Sequence, residues 1–130
     1  MKVLFACVHN AGRSQMAAAL FNAVAPAGLE AVSAGTEPAT AVHREVIAAM
    51  AEVGIDLSGI KPQRLTPALM AGAGLLVTMG CGETCPVVPG VRRADWPLPD
   101  PKGQSLEAVR AIRDDIATRV RALVDGLRAA

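Results

Sequence analysis

The residues of this chain best suited to chemistry form one polar run near the N-terminus, Cys7-Val8-His9-Asn10-Ala11-Gly12-Arg13-Ser14. A cysteine becomes a nucleophile when its thiol loses a proton, and nearby positive charge favours that thiolate. Arg13 can curl back toward Cys7 and hold two oxygens of a tetrahedral oxyanion with its fork of N–H donors. The Ser14 hydroxyl can donate a hydrogen bond to the Cys7 sulfur. The run therefore predicts a nucleophilic thiol inside an anion-binding loop.

The elements on either side of this run would give it the required shape. Residues 3–6 are continuously apolar, which predicts a buried strand, and residues 14–25 predict a helix. A loop that enters a helix N-terminus turns free N–H groups inward, where they and the helix dipole favour an anion. We expect Asn10 to adopt a left-handed conformation and Gly12 to permit close backbone approach. The predicted oxyanion-binding residues are Val8, His9, Asn10, Ala11, Gly12, Arg13 and Ser14.

The spacing of Cys7 and Arg13 has a structural alternative. Cys7 could be a small buried hydrophobic residue, and Arg13 a surface charge at the start of a helix. The position of the loop between a buried strand and a helix favours the functional interpretation.

Strand and helix patterns alternate along the rest of the chain. Further strands are predicted at 29–33, 75–79 and 91–96, and helices at about 41–53, at 66–71 and from 104 onward. The last helix carries an apolar stripe made of Leu106, Val109, Ile112, Ile116, Val120, Leu123 and Leu127. We therefore expect an α/β fold, in which residues 1–130 form a single three-layer domain with a four-stranded parallel sheet and helices on both faces.

Composition excludes several classes of protein. With 130 residues, 52% of them hydrophobic, the chain can bury a core and is not intrinsically disordered. A net charge of +1 and an aromatic content of 2% argue against nucleic-acid binding. Residues 65–82 lack formal charge, but proline and glycine interrupt them too often for a membrane helix. Three cysteines, an odd number, favour a cytoplasmic thiol protein over a secreted domain held by disulfides.

The order of these motifs resembles a known family. The strand, the loop and the helix resemble the low-molecular-weight protein tyrosine phosphatase fold, and residues 7–17 resemble the arsenate reductases built on it. Ser33-Ala34-Gly35, Val77-Thr78-Met79, Cys85-Pro86 and Asp100-Pro101 follow in matching order, so the resemblance covers essentially the whole chain. It implies an arsenate reductase that forms a thiol-arsenate adduct on Cys7 and yields arsenite, as in arsenic detoxification.

The resemblance also implies a general acid at Asp100. An oxygen that leaves a tetrahedral centre departs more readily when it is protonated. The residue pair alone favours a simple turn that begins at Asp100, and the resemblance reverses that preference. Asp95 is a nearby competitor, which we expect at the end of the fourth strand.

Cys81 and Cys85 distinguish reduction from phosphate-ester hydrolysis. Arsenate reduction needs two electrons, which thiols supply when they form a disulfide. Cys81 would attack the Cys7 sulfur. Cys85 would then attack Cys81, which releases Cys7 and forms a redox-active Cys81–Cys85 disulfide. The alternatives are a zinc site, for which the pair supplies only two ligands, and two buried structural thiols.

The chain departs from the family pattern in ways that bear on its partners. Only three residues separate Cys81 from Cys85, fewer than is usual in thioredoxin-linked members, so the electron donor stays open among thioredoxin, glutaredoxin with glutathione, and mycothiol. Ala18 stands where some members have an acidic residue that helps bind potassium, so no tight potassium site is expected. Lys102 follows the Asp-Pro pair where the phosphatases have tyrosine.

The leading interpretation is a monomeric arsenate reductase with no tightly bound cofactor, no metal and an external thiol reductant. Phosphate or sulfate should compete with arsenate, and neither nucleic acid nor a membrane is an expected partner. The alternatives are an arsenate transferase to a low-molecular-weight thiol such as mycothiol or glutathione, a low-molecular-weight protein tyrosine phosphatase, and an oxyanion sensor. No proton transfer is assigned to His9, and His43 is expected on a surface helix.

Overall fold

A computed structural model describes residues 1–80 and 90–128 of the chain. The predicted strands and helices are present in the predicted order, and most element ends lie within a few residues of their predicted positions. In chain order the elements are β1 (Lys2–Cys7), α1 (Arg13–Val24), β2 (Glu30–Gly35), α2 (Arg44–Ala51), α3 (Pro67–Ala71), β3 (Leu75–Thr78), β4 (Arg92–Asp95) and α4 (Leu106–Arg128).

The four strands form one parallel sheet in the order β2-β1-β3-β4. The last residue of β1, Cys7, pairs with Gly35 of β2, and Ala6 pairs with Thr78 of β3. The carboxyl ends of the strands therefore meet at one edge of the sheet, the edge where ligands bind in open α/β folds. This arrangement confirms the predicted α/β class and the parallel sheet.

Side chains of β1 alternate between two apolar clusters, because successive residues of a strand point to opposite faces. Phe5 joins the larger cluster beneath α1, α2 and α4, while Leu4 joins a smaller one beneath α3. The Phe5 ring lies 6.0 Å from the Phe21 ring and 5.6 Å from the Trp96 ring between centroids. Helices on both faces thus bury residues 3–6 of β1 completely, as their continuous apolar sequence predicts.

Helices α2 and α4 begin later than the sequence predicts, and α4 buries one residue outside the predicted stripe. Helix α2 begins at Arg44, so His43 precedes it as the capping residue. Helix α4 begins at Leu106, where the Ser105 hydroxyl accepts a hydrogen bond from the backbone N–H of Ala108 at 3.1 Å. Val124, outside the predicted stripe, is buried in α4.

Among residues 1–80 and 90–128, no helix combines the length and the apolar character needed to cross a bilayer.

An exposed ion-pair network joins the end of α2 to α4. Glu52 accepts hydrogen bonds from Arg110 at 2.6 Å and from Arg113 at 2.8 Å. These bonds, foremost those from Arg110, lower the pKa of Glu52 from its ordinary value of 4.5 to about 2. The network therefore stabilises the ionised carboxylate in the folded state.

We expect Glu52→Gln to lower the urea midpoint of unfolding at pH 7 and to have less effect at low pH. The folded-state pKa is depressed, so the stabilisation is present above the unfolded-state pKa and is lost as pH falls from about 4.5 toward 2. Urea unfolding of both proteins at pH 7 and pH 3 measures the difference. Asp125→Asn is the control, since Asp125 is exposed on α4 and forms no ion pair among the described residues. An equal effect of Glu52→Gln at both pH values would contradict the linkage.

Candidate active site

Cys7 lies at the carboxyl end of the central strand β1, and α1 begins six residues later at Arg13. Its side chain is buried, with only 2% of the residue exposed. The Cys7 Sγ atom lies 2.9 Å from the Ser14 Oγ atom in the first turn of α1. The strand and the helix thus bring together the two ends of the predicted loop.

The carbonyl groups of this loop bind a second segment, residues 36–43, which follows β2. The oxygens of Cys7 and Val8 accept from the N–H groups of Thr36 at 3.2 Å and Glu37 at 2.8 Å. Those of His9 and Ala11 accept from the N–H groups of Ala39 at 2.9 Å and His43 at 3.0 Å. Within the described ranges, no N–H group from Val8 to Ser14 donates to a protein acceptor. Several N–H donors of the loop are therefore available to an anion.

Asn10 gives the loop its turn. It adopts the left-handed conformation that the sequence predicts, with φ at 50°, and it is completely buried. Its Oδ1 atom accepts hydrogen bonds from the backbone N–H of Gln63 at 2.9 Å and from Gln15 Nε2 at 3.0 Å. Its Nδ2 atom donates to Ser14 Oγ at 2.7 Å. One asparagine therefore connects a distant segment of the chain to the hydroxyl beside Cys7.

The Arg13 side chain is buried and faces the segment after β4. Its Nη1 atom donates to the carbonyl oxygen of Leu98 at 3.1 Å, and its Nη2 atom lies 3.8 Å from Asp100 Oδ2. The Nε atom is buried and has no hydrogen-bond partner in the part of the chain that the structure describes. A buried donor without a partner is costly. An oxyanion bound beside Arg13 would relieve that cost.

Two glycines allow close contacts around Arg13. Gly80 has φ at 89°, a conformation that favours glycine, and a Cβ atom there would displace Arg13 Nη1. A Cβ atom on Gly12 would approach Pro101 Cγ to 2.5 Å. Close packing of Pro101 on Gly12 fixes the distance between the loop and the Asp-Pro segment, which agrees with the close approach expected at Gly12.

Asp100 lies at the opening of the site, with 42% of its side chain exposed. Its Oδ1 atom accepts a hydrogen bond from the backbone N–H of Lys102 at 3.0 Å, while Oδ2 faces Arg13. Asp95 ends β4, as expected, and there contacts Thr78 Oγ1 and Arg93. Of these two carboxylates, only Asp100 contacts a residue of the predicted anion-binding loop.

His43 is also at this opening, which corrects its expected place on a surface helix. It lies before α2 and close to Gly12, with Cδ2 3.6 Å from the position of a Cβ atom there. Burial lowers the pKa of His43, although the negative charge of Asp100 opposes that effect. His9 Nδ1 lies 3.2 Å from the carbonyl oxygen of Glu37.

Sequence reasoning did not identify Gln15 and Gln63 as parts of the site. Gln15 carries a usable signal, because it is a polar residue next to the buried sequence Met16-Ala17-Ala18. Gln63 carries no such signal, because its partner Asn10 lies 53 residues away in the sequence. Cys81 and Cys85 lie outside the described residues.

The chain and its geometry match proteins of one family. A family model for low molecular weight phosphotyrosine protein phosphatases matches residues 2–130. A Halobacterium salinarum protein named provisionally as an arsenate reductase is 40% identical over 126 residues, which cover 93% of this chain and 89% of that protein. A glutaredoxin arsenate reductase of Synechocystis is 36% identical over 126 residues, which cover 95% of both proteins.

The structure is also similar to a solved thioredoxin-dependent arsenate reductase of Corynebacterium glutamicum. The two superpose with a TM-score of 0.85 at 38% sequence identity over 98% of this chain. This chain spans 62% of the length of the Corynebacterium chain. The fold, the site and the sequence agree: the chain belongs to the low molecular weight phosphotyrosine protein phosphatase family.

Proposed function

We propose that this protein is an arsenate reductase, in which Cys7 is the nucleophile. The observation that carries the proposal is a buried cysteine hydrogen-bonded to Ser14, beside loop N–H groups and an Arg13 Nε atom that lack protein acceptors in the described residues. The names of the similar proteins favour arsenate as the oxyanion. The three thiols of the sequence favour reduction over hydrolysis.

Arsenate binds first, with its oxygens held by the loop N–H groups and by Arg13. Phosphate and sulfate have nearly the same shape and charge, so they compete for the same donors. Binding places the arsenic atom in front of the Cys7 sulfur, because the loop encloses Cys7 at its centre. The cradle consists of Val8, His9, Asn10, Ala11, Gly12, Arg13 and Ser14.

Chemistry begins when the Cys7 thiolate forms a sulfur–arsenic bond. One arsenate oxygen takes a proton from Asp100 and leaves as water, so arsenic stays pentavalent in the adduct. The close packing of Pro101 on Gly12 holds Asp100 at the site for this transfer. Asp100 regains its proton from solvent, to which 42% of its side chain is exposed.

Reduction follows when Cys81 attacks the Cys7 sulfur. The electron pair of the sulfur–arsenic bond passes to arsenic, which leaves as trivalent arsenite, and a Cys7–Cys81 disulfide remains. Cys85 then attacks Cys81, releases the Cys7 thiolate and forms a Cys81–Cys85 disulfide. An external thiol reductant, a thioredoxin-like protein or a small thiol, restores the pair. We place this monomeric enzyme in the cytoplasm, where such reductants keep thiols reduced.

Phosphatase activity is the second candidate, because the family includes phosphatases. All three aromatic residues of the chain pack together around β1, where Phe5 contacts both Phe21 and Trp96. Phe5 and Phe21 are completely buried, and Trp96 is partly buried with its ring against Phe5, which disfavours stacking on a phosphotyrosine ring. Weak hydrolysis of small aryl phosphates is compatible with the loop, but the site offers an aryl group no aromatic wall.

Cys7→Ser should abolish arsenite production, since a serine hydroxyl neither forms the thiol adduct nor joins a disulfide. Arsenite is measured during turnover with thioredoxin, thioredoxin reductase and NADPH. The control is phosphate binding to the same variant by calorimetry, which should persist because the loop donors remain. Wild-type arsenite production by the variant would refute Cys7 as the nucleophile.

Asp100→Asn should slow formation of arsenite by about 10²- to 10⁴-fold, the usual effect of losing a general acid. A single-turnover experiment with reduced protein and no external thiol isolates this step from reductant recycling. Asp95→Asn is the matched control, because Asp95 lies on β4 and contacts Thr78 and Arg93. The acid role is wrong if both variants have the wild-type rate, or if Asp100→Asn loses phosphate binding.

The fully reduced protein should lose two thiols when it is mixed with arsenate alone, because the proposed relay ends in one disulfide. Mass spectrometry should identify a Cys81–Cys85 bridge in the wild type. In Cys85→Ser the reaction should stop as a Cys7–Cys81 disulfide. No loss of thiols would exclude the internal relay and favour transfer of arsenate to a small thiol.

A further inference from the structure

The groups that surround Asn10 determine which of its side-chain atoms donates and which accepts a hydrogen bond. The N–H of Gln63 belongs to the backbone and can only donate, so the atom of Asn10 that it meets at 2.9 Å must be the carbonyl oxygen. Gln15 meets the same oxygen at 3.0 Å and must therefore present its Nε2 donor. The amide of Asn10 is thus held in one orientation by two donors.

That orientation determines the hydrogen bond to Cys7. With Oδ1 occupied, Asn10 turns Nδ2 toward Ser14 and donates to its Oγ at 2.7 Å. The Ser14 oxygen then accepts from Asn10, and its own hydrogen is free for the sulfur at 2.9 Å. A hydroxyl that donates to sulfur stabilises the thiolate, whereas one that donates elsewhere does not.

We propose that Gln15 is a positioning residue that keeps Ser14 donating to Cys7 through Asn10. The inference relies on the proposed function only in taking Cys7 as the nucleophile. Gln15 lies next to Ser14 in α1, so its side chain reaches back over the loop that the helix follows. It acts on the sulfur through two other side chains.

The surroundings of Gln15 argue for this role. Gln15 is 5% exposed, and the residues after it, Met16, Ala17 and Ala18, are buried in the apolar core. An amide in such a place is unfavourable unless its polar atoms have partners. The contact between Gln15 and Asn10 Oδ1 supplies one, and it reinforces the orientation that Gln63 imposes from the other side.

The decisive variant is Gln15→Glu, which keeps the size of the side chain and replaces its donor with acceptors. A carboxylate facing Oδ1 of Asn10 favours rotation of that amide, after which Ser14 would donate to Asn10. We expect the pH at which half of Cys7 is thiolate to rise by about 1 to 2 units, the effect of losing one hydrogen bond to a charged group. Gln15→Met, which only removes a donor, should raise this midpoint pH of Cys7 by a few tenths of a unit.

The midpoint is read from the pH dependence of Cys7 alkylation by iodoacetamide, followed by mass spectrometry of the tryptic peptide 3–13. Cys81 and Cys85 fall in another peptide, so all three thiols stay in place. This readout needs neither arsenate nor a reductant, so it can fail while the proposed function stands. The charged groups at the loop, Arg13 and Asp100, with His9, His43 and Lys102 beyond them, are the same in every variant.

A double-mutant cycle separates positioning from the charge of the new carboxylate. In a Ser14→Ala background, which lacks the relaying hydroxyl, most of the Gln15→Glu shift and all of the Gln15→Met shift should disappear. If both shifts persist there at full size, Gln15 acts without Ser14 and the proposal is wrong. If circular dichroism shows that Gln15→Glu does not fold, the neutral Gln15→Met decides, and no shift with Ser14 present would refute the proposal.

Discussion

The arrangement depends on where the carbonyl groups of a tight loop find their hydrogen bonds. Between β1 and α1 the chain must reverse over a few residues, and any buried backbone group without a partner would be costly. Segment 36–43 supplies partners for the loop oxygens, because its N–H groups donate hydrogen bonds to the carbonyl oxygens of Cys7, Val8, His9 and Ala11. No group in the described part of the chain accepts from the loop N–H groups, so they are available to another acceptor. Cys7, the proposed nucleophile at the end of a buried strand, thereby lies in a loop of backbone N–H groups suited to an anion, to which Arg13 adds charge.

Local sequence predicts the parts of this site that are close together in the chain. The apolar run of β1, the helix that follows it and the contact between Cys7 and Ser14 all arise within a few residues of one another. The general-acid role of Asp100 follows from the resemblance and stays a prediction, and the structure places Asp100 Oδ2 3.8 Å from Arg13 Nη2. Contacts between distant segments could not be predicted in this way, because nothing in the composition near Gln63 or His43 indicates a partner in the loop.

The same scaffold serves two chemistries because the first step is common to both. A thiolate displaces an oxygen from phosphorus or arsenic, and the surrounding donors do not distinguish the two elements. The reactions diverge at the atom that is attacked next. Water attacks phosphorus in a phosphatase, whereas a second thiol attacks sulfur in a reductase. In this proposal, the identity of the enzyme is decided by its other cysteines and by the absence of an aromatic partner for an aryl ester.

The position of Trp96 has an optical consequence. Trp96 is the only tryptophan of the chain, its ring lies 5.6 Å from Phe5, and its backbone N–H bonds to the carbonyl of Thr78 at 2.8 Å. It anchors one end of the stretch that carries Leu98 and Asp100 to Arg13. With no tyrosine to contribute, emission excited at 295 nm comes from this one indole. The protein therefore contains a built-in fluorophore whose environment changes whenever that stretch moves against the sheet.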